Sequence, residues 1–169
     1  NIWTGAPNLK PWEKITSSLK NPKNGEVTVA MVGKYVDLKE SYKSLTEALY
    51  HGGFANDCRV QIVYVDSEEI EKNGAEKAIK NATGNIDADA ILIPGGFGQR
   101  GSEGKILAAK YARENKIPYF GICLGLQIAV IEYARNKAGI KNATSSEFDE
   151  KTTDPVIHIM DQQKDVTNK

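Results

Sequence analysis

From residue 27 onward, short β-branched apolar runs alternate with longer stretches in which apolar residues recur at helical spacing. Val27-Thr28-Val29-Ala30-Met31-Val32 reads as a strand stopped by Gly33. Ser41, Leu45, Ala48, Leu49 and Ala55 then follow a helical period, with Gly52-Gly53 as the expected end of that helix. Residues 60–65 give a second strand, and residues 68–80 a polar helical region broken at Asn73-Gly74. Residues 88–93 form a third strand that stops at Pro94-Gly95-Gly96. A helix over 104–115 follows, with Ile106, Leu107, Lys110 and Tyr111 in phase. Residues 117–122 are a fourth strand and 124–135 the helix after it. Two stretches lack this texture. Residues 1–26 are rich in Pro, Asn, Lys and Ser and read as a linker with a short helix around 12–19. After residue 140 the period weakens, leaving 155–160 as one more candidate strand and a polar last nine residues.

Near-continuous apolar strands alternating with helices call for parallel pairing with both sheet faces covered. Right-handed crossovers then give an α/β fold, a doubly wound, mostly parallel sheet with helices on both faces, over residues 27–169. A sheet that runs out into a loose tail predicts that the C-terminal part of this domain is missing. The chain starts Asn1-Ile2-Trp3-Thr4, without an initiator Met or the basic-then-apolar order of a signal peptide, so it is expected to be cut from something longer.

Composition narrows the partners more than the fold. The 169 residues suit one domain with a real core. Lys plus Arg and Asp plus Glu are both 22, and this balance argues against nucleic acid or an anionic membrane as a partner. No apolar run approaches the roughly 20 residues needed to span a bilayer. Two cysteines make no disulfide framework, and a reducing, cytoplasmic setting suits both. Cys58, at the head of an apolar alternating run, reads as a buried, inert thiol. No metal site is expected.

Cys123 is different. Gly121-Ile122-Cys123-Leu124-Gly125 lies between an apolar strand and a helix, the cysteine version of a nucleophile elbow. Such a nucleophile stands proud of a strained turn, where side chains at 121 and 125 would collide with neighbouring backbone. The next helix begins at the cysteine, so its amides and dipole favour negative charge there. The Leu124 N–H should face the position of a developing oxyanion. The alternative is a small residue packed at a strand end, with glycines serving a tight turn. Pro94-Gly95-Gly96-Phe97-Gly98 also follows a strand, at the same sheet edge, and its Gly-Gly turn suits a second oxyanion donor or is simply a Gly-rich turn. It does not fit the phosphate-binding P-loop pattern.

These two segments, with Gln127 completing the second, resemble the class I (triad-type) glutamine amidotransferases. Val32-Gly33-Lys34-Tyr35-Val36, Ser41-Tyr42-Lys43-Ser44, Gln99-Arg100-Gly101 with Gly104-Lys105, and Ser146-Glu147-Phe148 are similar to the glutaminase domain of the CTP synthase family, from about residue 9 to the end. The resemblance implies a flavodoxin-like fold and hydrolysis of L-glutamine through a cysteine thioester. The ammonia would pass to a synthetase domain, absent from this chain, that uses Mg and ATP to aminate UTP to CTP. No cofactor is implied in the present domain. By motif, Cys123 is the nucleophile, Gly96 and Leu124 supply oxyanion amides, and Gly96, Leu124, Gly125, Leu126, Gln127 and Glu147 bind glutamine. Lys43 and Arg100 would face the synthetase domain, where the family's activator GTP acts, and a homo-oligomer, a tetramer in the family, is implied. Without the resemblance, Glu147 reads as a surface or capping carboxylate.

The pattern breaks at the base. The family's His-Pro-Glu segment has no counterpart, nor does its later glutamine-binding arginine. The two histidines, His51 and His158, read as a helix C-terminal cap and a strand-face residue. The chain is therefore expected to end before the triad is complete, and the 169-residue polypeptide alone to be inactive, since general-base catalysis supplies about 10²–10⁴ in rate. Two other readings stand beside this one. A PfpI-like cysteine-elbow peptidase or chaperone would usually carry His directly after the cysteine, where this chain has Leu124. A non-catalytic assembly module would keep the fold without needing the thiol.

Overall fold

The computed structural model describes residues 5, 7–34 and 39–160. Tyr35 and Val36 of the first family motif, and the polar last nine residues, lie outside them. Among the described residues β1 (Glu26–Gly33), β2 (Arg59–Asp66), β3 (Ala90–Ile93) and β4 (Tyr119–Gly121) form one sheet in the order β2-β1-β3-β4. Every pairing in it is parallel. The chain steps from β1 to one side and returns to the other for β3, which makes the β1/β3 boundary the switch point of a doubly wound sheet.

Alternation along β1 sorts the core into two layers. Val29 and Met31 meet Tyr42, Leu92 and the apolar side of α2 (Lys43–Ala55). Ala30 and Val32 face the larger cluster, built with residues of α3 (Ser67–Asn73), α4 (Ala75–Thr83), α5 (Ser102–Asn115) and α6 (Leu124–Asn136). Before them, α1 (Lys10–Lys20) is pinned where the Ser18 hydroxyl donates to Asp57 at 2.7 Å. Between α5 and α6 the buried Glu132 takes three hydrogen bonds from the Arg113 guanidinium, at 2.8–3.0 Å. A buried carboxylate is tolerable because a planar guanidinium satisfies both oxygens. The break expected at Asn73-Gly74 is present, with Gly74 at φ 82° separating α3 from α4.

Four expectations need correction. Gly52-Gly53 does not end α2, which runs on to Ala55 and is closed by Asn56, whose N–H and side chain reach the Gly52 carbonyl. Gly53 is instead a contact point, because a Cβ there would sit 2.8 Å from both the Cys58 carbonyl oxygen and Val60 Cγ2. His51 is accordingly an exposed residue within α2 beside Phe54, not a cap. On α5 the phase is shifted: Lys105, Ile106, Ala108, Ala109 and Ala112 are buried while Leu107 is 38% exposed. The late strand is present as β6 (Pro155–Ile157), paired in parallel with β5 (Thr144–Ser145), but His158 lies exposed just past it and not on a strand face.

The two adjacent glycines of α2 provide a paired test. Gly52 has nothing within 4 Å of a built Cβ, so Gly52→Ala should stabilise by about 0.5–1 kcal/mol through helix propensity alone. Gly53→Ala should destabilise despite the same propensity gain. Urea denaturation of both variants checks the sign of each change.

Candidate active site

Cys123 stands at φ 52°, ψ −105° between β4 and α6, exposed at its side chain. For a residue with a Cβ this is a costly backbone, of order 1–3 kcal/mol. The surroundings leave no other path. A Cβ on Gly121 would fall 2.3 Å from the Gly125 carbonyl carbon, and one on Gly125 would fall 2.2 Å from the Ile93 carbonyl oxygen. Glycine at both positions lets α6 begin directly on the ends of β4 and β3. Ile122 donates to the Ile93 carbonyl at 3.0 Å, and the N–H groups of Leu126 and Gln127 close on the Cys123 carbonyl at 3.1 and 3.2 Å. The Tyr119 hydroxyl donates to the Gly125 carbonyl at 2.6 Å. Burial, and then the Glu132 charge, push the Tyr119 phenol up, so it stays a donor. Nothing in the alternating pattern of β4 marked Tyr119 for this task.

Leu124 is the first residue of α6, so its N–H is one of the four that a helix leaves without an internal acceptor. The Pro94–Gly98 segment packs against this turn: a Cβ on Gly95 would lie 3.5 Å from the Cys123 Cβ, and one on Gly96 3.5 Å from Leu124 Cδ2. Larger side chains would lie over the thiol. Glu147 joins the same cluster from the far end of the chain, accepting the Gly98 N–H at 2.7 Å. It is presented there by buried neighbours, Ser145 and Phe148. Gln127 keeps its side-chain oxygen buried with no hydrogen-bond donor among the described residues. Leu126 is 61% exposed.

The structure thus gathers Cys123, Gly96, Leu124, Gly125 and Glu147 at one sheet edge, with Gln127 one turn into α6. Lys43 and Arg100 are placed differently. Lys43 opens α2 and is exposed, while Arg100 Nε lies 2.6 Å from Glu68 on α3. No hydrogen bond among the described residues joins either histidine to Cys123. His51 lines a groove with Trp12, Ile15 and Phe54, and His158 turns Nδ1 to the Ile159 carbonyl at 2.6 Å.

Two lysines escaped the sequence reading as site residues. At the switch point a cavity of about 220 Å³ is lined by Gly33, Lys34, Ser41, Tyr42, Pro94, Gly95, Gly96 and Lys105. Lys34 Nζ donates to the Phe97 carbonyl oxygen. Lys105 is 3% exposed, and burial, then the Lys34 charge, lower its pKa to about 8 against the opposing effect of Glu71. The signal for Lys34 was its position at a strand's C-terminal end. Lys105 was hidden by the mistaken phase of α5.

A parallel sheet that presents a cysteine elbow beside a glycine turn defines a cysteine-elbow α/β protein, a class that includes amidotransferases. The family description "Glutamine amidotransferase class-I" matches residues 37–168, and the chain belongs to that family. CTP synthase of Geobacter metallireducens is 59% identical over 169 residues, all of this chain and 30% of that protein. CTP synthase of Pelobacter propionicus is 56% identical over the same span. Among solved structures, the Trypanosoma brucei CTPS glutaminase domain with bound acivicin superposes with a TM-score of 0.72 at 46% identity, covering 81% of this chain and 51% of that one. Within the family, then, this is a glutamine amidotransferase domain homologous to the glutaminase domain of CTP synthase. It spans about 30% of the length of the curated relatives it matches. The PfpI-like alternative is not favoured by these matches.

Lys105 gives a pH prediction. Its folded pKa, about 8, lies below the ordinary 10.5 of the unfolded chain, so the unfolded state binds the extra proton between those values. Folding stability contributed by this group is therefore lowest below pH 8 and rises from about pH 8 to 10.5. Lys105→Met should raise stability at pH 7 by up to ~3 kcal/mol, and that advantage should shrink on going to pH 10. Denaturation of wild type and variant at both pH values checks it; an advantage independent of pH contradicts it.

Proposed function

We propose that the domain hydrolyses L-glutamine with Cys123 as nucleophile and delivers the ammonia, within a longer protein, to the amination of UTP to CTP. The observation that carries this reading is the left-handed Cys123 held between two obligatory glycines and flanked by the Gly95-Gly96 turn. Cys123 Sγ attacks the side-chain carbonyl of glutamine. The oxygen that gains charge is met by the N–H groups of Gly96 and Leu124, fixed in advance at the turn and the helix start. Collapse of the tetrahedral intermediate releases ammonia and leaves a thioester, which water hydrolyses to glutamate.

At the other end of the substrate, the Glu147 carboxylate takes the ammonium, and the buried Gln127 oxygen, which has no partner among the described residues, accepts a further hydrogen bond from it. An unsatisfied buried acceptor is costly in the empty protein and is compensated when a donor arrives. Leu124, Gly125 and Leu126 supply the pocket wall. The proton acceptor for the thiol is neither His51 nor His158 in this geometry; the family resemblance puts it in a His-Pro-Glu segment outside these residues. Mg, ATP and UTP are assigned to the synthetase part of the longer protein, with GTP as activator near Lys43 and Arg100, in a cytoplasmic homo-oligomer.

Cys123→Ala in the full-length protein separates this reading from a non-catalytic assembly role. CTP formation from glutamine should fall by at least about 10³-fold, while CTP formation from free ammonia should stay within about twofold. Undiminished use of glutamine contradicts the assignment.

A further inference from the structure

In the turn that carries the proposed oxyanion donor, the peptide unit between Phe97 and Gly98, two units along from the one bearing the Gly96 N–H, is gripped by opposite charges. The Phe97 carbonyl oxygen accepts from Lys34 Nζ, and the N–H of the same peptide, on Gly98, donates to Glu147 Oε1 at 2.7 Å. An ammonium on the oxygen and a carboxylate on the nitrogen reinforce the peptide's own dipole, and charge-assisted bonds are roughly twice as strong as neutral ones. This grip matters because the segment has little else to fix it. Gly95, Gly96 and Gly98 carry no side chains, Phe97 is 78% exposed, and Gly98 sits at φ 79°. Glycines populate both signs of φ readily, so the segment's own sequence does not decide which way its N–H groups face.

We infer that Lys34 is a positioning residue for glutamine hydrolysis: with Glu147 it orients the 97–98 peptide and so holds the Gly96 N–H toward the oxygen attacked by Cys123. The inference rests on the role given to Gly96 in the proposed function. It has a second consequence. Glu147 both anchors this segment and is proposed to receive the substrate ammonium, so the amino-acid end of glutamine and the oxyanion donor are joined through a single carboxylate. One of its oxygens is taken by Gly98, and the other, with no hydrogen bond among the described residues, would meet substrate. A carboxamide lacking the α-ammonium would then lose rate as well as affinity. Lys34 approaches from the opposite side, at the end of β1, and ties the turn to the switch point of the sheet.

The test uses the full-length protein with Lys34→Met, Lys34→Arg and Cys123→Ala. Three quantities are read: kcat and KM for glutamine hydrolysis, and the rate at which iodoacetamide alkylates Cys123. Displacement of iodide develops no oxyanion, so alkylation reports the thiol and the integrity of the elbow alone. Lys34→Met should lower kcat by about 10–100-fold, at or below the 10²–10³ lost when an oxyanion donor is removed outright. KM and the alkylation rate should stay within about threefold, and Lys34→Arg should recover most of kcat because it retains the cationic donor. The inference is overturned by a kcat within twofold of wild type in Lys34→Met, by an equal fall in alkylation, or by equal losses in the Met and Arg variants. If Cys123→Ala still hydrolyses glutamine, the nucleophile assignment itself fails. If Cys123→Ala is dead while Lys34→Met is normal, only the role of Lys34 fails.

Discussion

The site depends on a steric constraint: α6 can begin where it does only if positions 121 and 125 carry no side chain. Gly121 lies against the Gly125 backbone and Gly125 against the Ile93 carbonyl, so β4, α6 and the end of β3 meet at backbone contact. Cys123, caught between them, is forced to φ 52°. The strain has two products. It projects the thiol beyond the sheet edge, and it brings the first N–H groups of α6 alongside the turn that leaves β3. Position and electrostatics therefore come from the same close approach, and the Tyr119 hydroxyl on the Gly125 carbonyl reinforces it from below.

From this point the structure widens into a polar frame around the Gly95-Gly96 turn. Lys34 reaches it from β1 and Glu147 from the segment after α6, so residues far apart in sequence converge on one loop. The segment bearing Glu147 is itself tied down: Phe148 enters the main core, and Arg135 bridges from the Ala143 carbonyl to Glu103 on α5. The carboxylate proposed to bind substrate is thus held in place by packing of the segment around it. The switch-point cavity, lined by Gly95, Gly96, Lys34 and buried Lys105, places two lysines on that same turn.

Much of this was legible in the sequence because it is local. Near-continuous apolar runs, two of them stopped by Gly33 or Pro94, marked the four strands, and Gly-x-Cys-x-Gly between strand and helix marked the elbow, since that turn admits few residue types. What stayed hidden was non-local. Gly52-Gly53 carries the signature of a helix end, yet Gly53 is required by the approach of Cys58 and Val60, residues the helix meets only after folding. Residues 155–160 have the composition of a strand, but a strand's partner is chosen by topology, and this one pairs with β5. Lys34 was marked only by its place at a strand's end and Tyr119 by nothing, because each acts on a backbone group that only the fold brings to it.

The most direct measurement of the central claim, that the constrained Cys123 is the glutamine-attacking thiol, is covalent capture. Full-length protein would be treated with a glutamine analogue carrying an electrophilic carbon at the amide position, and the adduct mapped by peptide mass spectrometry. The half-buried Cys58 serves as an internal control. The expected result is a single adduct at Cys123, slowed by added L-glutamine, with Cys58 unmodified. Comparable labelling of Cys58, or labelling of Cys123 that glutamine does not slow, would contradict it.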